Sequence, residues 1–263
     1  MNPHKNPDSS YIQNMFDRLA GRYDLFNHLT SLGMAGRWRK AALEPVKKGM
    51  RVLDLGCGTG DLAILAAAKT GPAGEVTGLD FSSRMLALAR KRYEYSRLNG
   101  KGGRLHFIQA KAEDLPIGTA PYDLVVSGFV LRNLYENIGR ILKGVFESLR
   151  PGGEISFLDF TEPDHKAFLF LWRVYLNTVA VFFGKMLFGR DYPAFYLTES
   201  ARRFLKADEL TSKLEAAGFR DIHARSFLLG AIRLYRAVKP PPVIPSLPAG
   251  RQAKRGIPRE KRL

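Results

Sequence analysis

Apolar and polar positions along the chain repeat with two different periods. Short, nearly continuous apolar runs at 51–56, 75–80, 105–110, 122–129 and 153–160 predict strands buried on both faces. Between them the period lengthens, and 61–70, 83–98 and 136–149 carry apolar residues at helical spacing. The clearest set is Ile138, Ile141, Leu142, Val145, Phe146 and Leu149. Ser82 and Ser83 are N-cap candidates for the helix at 83–98, and Pro151-Gly152-Gly153 stops the helix before it. A helix at 208–217 and strands at 219–227 and 231–239 complete the pattern. The short turn at Leu229-Gly230 lets the last two strands pair only antiparallel. Strands alternating with helices predict an α/β fold around a mainly parallel sheet.

Two segments fall outside this alternation. Residues 1–50 read as an N-terminal helical cap on a core domain at 51–239, and the tail at 240–263 is basic and proline-rich with no periodicity. Such a tail cannot bury enough apolar surface to offset its ordering entropy, so it is expected to be disordered. The core carries an apolar insertion at 163–200 whose centre, Lys166 to Gly189, approaches the length of a transmembrane helix. Arg173, Asn177 and Lys185 argue against a span, because charge near the bilayer centre is costly. A helix wholly buried in the protein is one reading. The favoured one is a partly exposed lid or interfacial helix that walls a hydrophobic acceptor site.

Composition narrows the setting. The single cysteine, Cys57, excludes an intrachain disulfide and fits a reducing, cytoplasmic compartment. The N-terminal stretch has no apolar h-region, so no signal peptide is expected. The net charge of +16, of which the tail supplies +5, would attract an anionic membrane leaflet or nucleic acid; a basic surface that is merely solvated is the plain alternative. The five histidines, at 4, 28, 106, 165 and 223, show no metal-ligand spacing, and no metal is expected.

The candidate chemistry lies in RVLDLGCGTGD, from Arg51 to Asp61, where a strand leads into a loop with glycines at 56, 58 and 60. Glycine there lets the backbone turn sharply and approach a ligand closely. Asp80 ends the next strand, where a carboxylate can take both hydroxyls of a ribose. Together they resemble the cofactor site of the class I S-adenosylmethionine (SAM) methyltransferases. The predicted strands, closed by an antiparallel hairpin, are similar to that group's Rossmann-like seven-stranded sheet. The resemblance implies strand order 3-2-1-4-5-7-6, an antiparallel last strand and helices on both faces.

Further segments resemble the ubiquinone/menaquinone-biosynthesis C-methyltransferases. These are Tyr23, Asp24, Asn27, Ser31, Gly33, Arg37 and Trp38 near the N-terminus, then 107–116, GFVLRN from Gly128 to Asn133, LRPGGEISFLDFTEP at 149–163, and 196–200 followed by Phe204. Asp159 stands where that family usually has glutamate, Lys111 where asparagine is common, and Leu205 where a proline is usual. The resemblance implies methyl transfer from SAM to a ring carbon of a polyprenylated hydroquinone. Asp80 would hold the ribose, Gly56, Gly58 and Thr59 the amino-acid end, and Asp54 or Asp61 the ammonium group. Lys111 and Ala112 would contact the adenine, with Gly128 also at the cofactor. Arg132 and Asn133 would serve the acceptor, Arg132 by stabilising a phenolate or, alternatively, by holding its loop in a salt bridge. The expected partners are a lipid-soluble quinol, transient contact with an anionic membrane surface, and a second copy in a homodimer. Nucleic acid is disfavoured for want of a catalytic N-P-P-Y motif or an appended RNA-binding module. A SAM methyltransferase of another lipidic acceptor is the principal alternative; a non-catalytic accessory protein is a weaker one.

Overall fold

Five strands of the sheet are parallel neighbours, and the first, second and fourth of them are each followed by a helix that carries the chain back across a face. The computed structural model describes residues 9–96 (side chains from 12), 101–115, 120–189, 192 and 207–242 (side chains from 208). Strands β1 (Arg51–Leu55), β2 (Glu75–Asp80), β3 (Arg104–Gln109), β4 (Tyr122–Gly128), β5 (Leu149–Phe160), β6 (Arg220–Phe227) and β7 (Ile232–Val238) form one sheet. Their order is β3-β2-β1-β4-β5-β7-β6, and β7 runs antiparallel to both of its neighbours. The expected sheet and order are therefore present. The chain moves outward from β1 to β2 and β3, then returns to β4 on the other side of β1. That reversal is a topological switch point, where open α/β sheets form their ligand crevice.

Side-chain alternation along the strands feeds two cores. On one face Leu53, Leu55, Val125 and Phe157 pack under α6 (Ile138–Ser148) and the helix here numbered α9 (Ala207–Ala216). Ile141, Leu142, Val145, Leu210 and Leu214 are their buried partners. On the other face Val52, Val126 and Leu158 meet Trp38 and Ala42 of α3 (Ala35–Ala42), Ala63 and Ala66 of α4 (Asp61–Thr70), and Leu86 of α5 (Ser83–Tyr95). Each such aliphatic side chain contributes about 1.5–3 kcal/mol on burial. Ser82 caps α5 by accepting from the Met85 amide at 3.0 Å.

The N-terminal segment is helical, as α1 (Ser9–Leu19), α2 (Tyr23–Thr30) and α3. Boundaries shift in two places. Helix α5 ends at Tyr95, and 97–100 lie outside the described residues. Strand β5 begins at Leu149, through the Pro-Gly-Gly turn, with a register irregularity opposite Tyr122 and Leu124 and Gly152 at φ 74°. The insertion forms α7 (Lys166–Tyr175), a π-helical turn (Leu176–Ala180) and α8 (Val181–Phe188) in one continuous rod. It is not a buried core helix: Phe170, Leu171 and Phe182 are 67, 60 and 63 % exposed. The expected disordered tail and the segments at 196–200, Phe204 and Leu205 lie outside the described residues, apart from 240–242.

Candidate functional site

The carboxyl ends of β1, β2 and β4 open into a cleft of about 1120 Å³. The loop after β1 forms its floor. Gly56 has φ 71°, and a Cβ there would lie 2.5 Å from Val130 Cγ1, so only glycine fits. Gly58 also has positive φ, and a Cβ on it would meet nothing within 4 Å, so its backbone is open to a ligand. Its amide donates to Asp80 Oδ2 at 2.8 Å, while the Ser82 amide donates to Asp80 Oδ1 at 2.9 Å. Burial pushes the Asp80 carboxyl up, opposed by the amides of Ser82, Gly58 and Phe81.

Asp54 is the most exacting group in the cleft. It is fully buried, and among the described residues neither carboxylate oxygen has a hydrogen-bond partner. Burial pushes its carboxyl up to about 8; the Ala63 amide, outside hydrogen-bond geometry, opposes the rise, and Asp80 and Asp61 add to it. A buried acceptor without a donor is costly, and a cationic ligand in the cleft would satisfy it.

Asp61 is the first residue of α4, but it does more than favour the helix start. Its carboxylate pairs with Arg39 at 3.1 Å and with Arg92 at 2.5 Å. Arg92 also donates to Asp24 at 2.7 Å and to the Thr59 hydroxyl at 2.9 Å, and Thr59 donates to Asp24 at 2.7 Å. One arginine thus ties α2, the glycine loop and α4 together. Gln13 donates to the Phe81 carbonyl, and Ser82 donates to Asp17, so α1 is fastened to the end of β2 as well. Cys57 lines the cleft with its thiol pushed well up by burial and by Asp54 and Asp80, which suits a filler rather than a nucleophile.

Every residue expected at the cofactor lines this cleft: Asp54, Gly56, Gly58, Thr59, Asp61, Asp80, Lys111, Ala112 and Gly128. Asn133 lines it too. Arg132 stands behind the wall: it is 7 % exposed, and its guanidinium donates to Asp159 Oδ1 and to the Phe129 carbonyl, each at 2.7 Å. Its own amide donates to Asp159 Oδ2 at 3.0 Å, and the guanidinium sits 5.0 Å from the Phe160 ring centre. Of the two arrangements considered for Arg132, this is the salt bridge that holds the loop.

Sequence reasoning had not assigned the roof. Ile12 and Phe16 on α1 and Tyr23 and Asn27 on α2 line the cleft, each pair four residues apart and so on one helix face. That spacing was the available signal. Phe129 also lines it, at the unusual φ of 64°, edge-on to Trp38 and beside Phe160. A positive φ in a bulky residue stores strain of the kind concentrated at binding sites.

The cleft is lined both by carboxylates (Asp54, Asp61, Asp80) and by aromatic rings (Phe16, Tyr23, Phe129). Orphaned Asp54, the open Gly58 backbone and the surplus of carboxylates fit a nucleoside carrying sulfonium and ammonium charge. This is the fold and site of a class I SAM-dependent methyltransferase. Solved structures sharing the fold include a SAM-dependent methyltransferase from Aquifex aeolicus (TM-score 0.55, 18 % identity, 89 % of this chain and 100 % of that one). The cyclase SpnF also shares it (TM-score 0.63, 18 % identity, 89 % and 97 %), so the fold by itself does not fix a reaction.

A family model described as the ubiE/COQ5 methyltransferase family matches residues 4–239, and the chain belongs to that family. Its methyl donor is S-adenosylmethionine. Among curated relatives, the demethylmenaquinone methyltransferase of Thermus thermophilus is 37 % identical, covering 78 % of this chain and 91 % of its own. That of Lactiplantibacillus plantarum is 34 % identical (87 % and 95 %). The ubiquinone/menaquinone biosynthesis C-methyltransferase UbiE of Haemophilus ducreyi is 32 % identical (89 % and 90 %).

Proposed function

We propose that this enzyme methylates a ring carbon of a lipid-soluble hydroquinone of the demethylmenaquinol type, working at the cytoplasmic face of a membrane. The observation that carries the reading is one cleft lined both by carboxylates that suit the donor (Asp54, Asp80) and by aromatic rings that suit a flat apolar acceptor (Phe16, Tyr23, Phe129). The names of the relatives point to the same acceptor class.

SAM supplies an electrophilic methyl group, so the protein's task is mainly alignment. Asp80 takes the ribose, the Gly56–Thr59 backbone the amino-acid end, and Asp54 the positive charge nearby. Lys111 and Ala112 flank the adenine. An aromatic carbon becomes nucleophilic as a ring hydroxyl loses its proton, so the acceptor needs a polar contact at that oxygen. Asn133, which lines the cleft together with Tyr23 and Asn27, is assigned that contact. Arg132 positions the segment bearing Asn133 through Asp159, and a guanidinium, which stays protonated, cannot serve as a base.

The test is twofold. Purified protein with SAM and a demethylated naphthoquinol should yield the ring-methylated product by mass spectrometry. Cells lacking the protein should accumulate the unmethylated quinone; a normal quinone pool with a different lipid left unmethylated would replace this acceptor with another.

A further inference from the structure

The rod from Lys166 to Phe188 is 23 residues long and apolar enough to cross a membrane by length and composition, yet only 22 % of its most apolar window is buried. One side of it is bolted to the fold. Trp172, Leu176 and Ala180 pack with Ala231, Phe160 and Leu228, and the Tyr175 hydroxyl donates to the Thr30 carbonyl at 2.7 Å. Arg22 donates to the Leu187 carbonyl, and Phe188 packs edge-on against Phe26. A helix held this way cannot leave the domain to span a bilayer; it lies on the surface.

Its other side is an ordered apolar row. Phe170, Val174, Phe182 and Met186 are 67, 43, 63 and 55 % exposed, with Leu171 beside them. These positions recur every fourth or eighth residue, a spacing that drifts around a regular helix of 3.6 residues per turn. The π-helical turn at Leu176–Ala180 widens the helix where it would drift, which keeps the row together. Thr178 within the row donates to the Val174 carbonyl at 2.7 Å, so its hydroxyl is satisfied inside the helix. Between 166 and 189 there are three basic residues and no acidic one.

We infer that this face is the site by which the enzyme docks onto an anionic lipid bilayer, the apolar row entering the headgroup boundary and Lys166 and Lys185 lying among the phosphates, while Arg173 stays paired with Glu162 at 2.8 Å. A chain of net charge +16 is drawn to such a surface over distance. Phosphate alone would leave the phenylalanines uncovered, which disfavours nucleic acid. A second copy, paired face to face by a two-fold axis, would bring like charges together. The helix also connects to the cleft wall, through Trp172, Phe160 and the cleft-lining Phe129 in series. Docking there brings that wall toward the membrane, a role in substrate delivery that rests on the hydroquinone reading.

The experiment is flotation of the full chain with phosphatidylcholine vesicles, with and without phosphatidylglycerol. SAM affinity, oligomeric state and turnover of a short-chain, water-soluble quinol are measured in parallel. The wild type should float with anionic vesicles and release at high salt. Phe170→Asp/Phe182→Asp should float at least tenfold less while keeping its SAM affinity and its turnover of the soluble quinol. Lys166→Glu/Lys185→Glu should lose anionic-vesicle binding without altering the apolar row. Undiminished flotation of these variants, no flotation of the wild type, or a wild-type dimer that the Phe170/Phe182 variant abolishes would overturn the inference. Failure to turn over the soluble quinol would instead count against the acceptor assignment.

Discussion

Asp54 couples the cofactor site to pH. Its carboxyl, pushed up to about 8, keeps its proton in the unliganded protein at neutral pH, whereas the unfolded chain loses it in the ordinary carboxylate range. Stability of the unliganded protein contributed by this group therefore falls as pH rises toward 8 and levels off above it. SAM affinity should move the opposite way, because a cationic ligand favours the ionised form: below about 8 it weakens by up to about tenfold per pH unit. Calorimetric titrations across that range should show protons released on binding, and Asp54→Asn should abolish both the release and the slope. Matching profiles for the two proteins would dismiss the role. Asp80→Asn leaves an acceptor for one loop amide but removes the charge, and SAM affinity should fall at least tenfold, about 1.4 kcal/mol. Arg132→Ala strands a fully buried Asp159, whose carboxyl burial already pushes up. Thermal or denaturant unfolding should register a loss of about 3–5 kcal/mol, partly recovered by adding Asp159→Asn. A stable Arg132→Ala protein with lost turnover would move that residue from positioning to chemistry.

At the scale of elements, the connection that matters most is the clamp made by Arg92 of α5 on Asp24, Thr59 and Asp61. It joins the roof of the cleft to its floor, so Arg92→Ala should weaken SAM binding and speed proteolytic cleavage within residues 12–42. Unchanged cleavage would show that the aromatic contacts of α1, such as Phe16 against Phe81, suffice to hold the roof. The inner strands β1, β2 and β4 were readable because burial on both faces imposes apolar runs, the largely exposed edge strands β3 and β6 from their place in the alternation, and α6 because its apolar stripe has one partner surface. The start of β5 was not: a Pro-Gly-Gly turn normally interrupts a strand, and only pairing with Tyr122 through an irregular register extends it to Leu149. The insertion was readable as a partly exposed helix, but which of its residues face outward was hidden, since apolar residues look alike whether a neighbour covers them or not.

Across the whole molecule, a donor that binds only the folded chain should stabilise it by mass action. SAM at about a hundred times its Kd should add about 2.7 kcal/mol to the unfolding free energy, readable as a rise in Tm. The sequence by itself determined the strands and helices, the glycine loop and Asp80, because these depend on periodicity and on residue types that few backbones tolerate; the strand order and the donor followed from its resemblance to a family. It also placed Asn133 near the site. Only the tertiary structure decided that Arg132 faces Asp159 rather than the cleft, that Asp54 is left without a partner, and that α1 and α2 supply the roof. Those outcomes depend on which side of a turn a side chain leaves, and on contacts between segments far apart in the chain. Local pattern does not encode either; packing does.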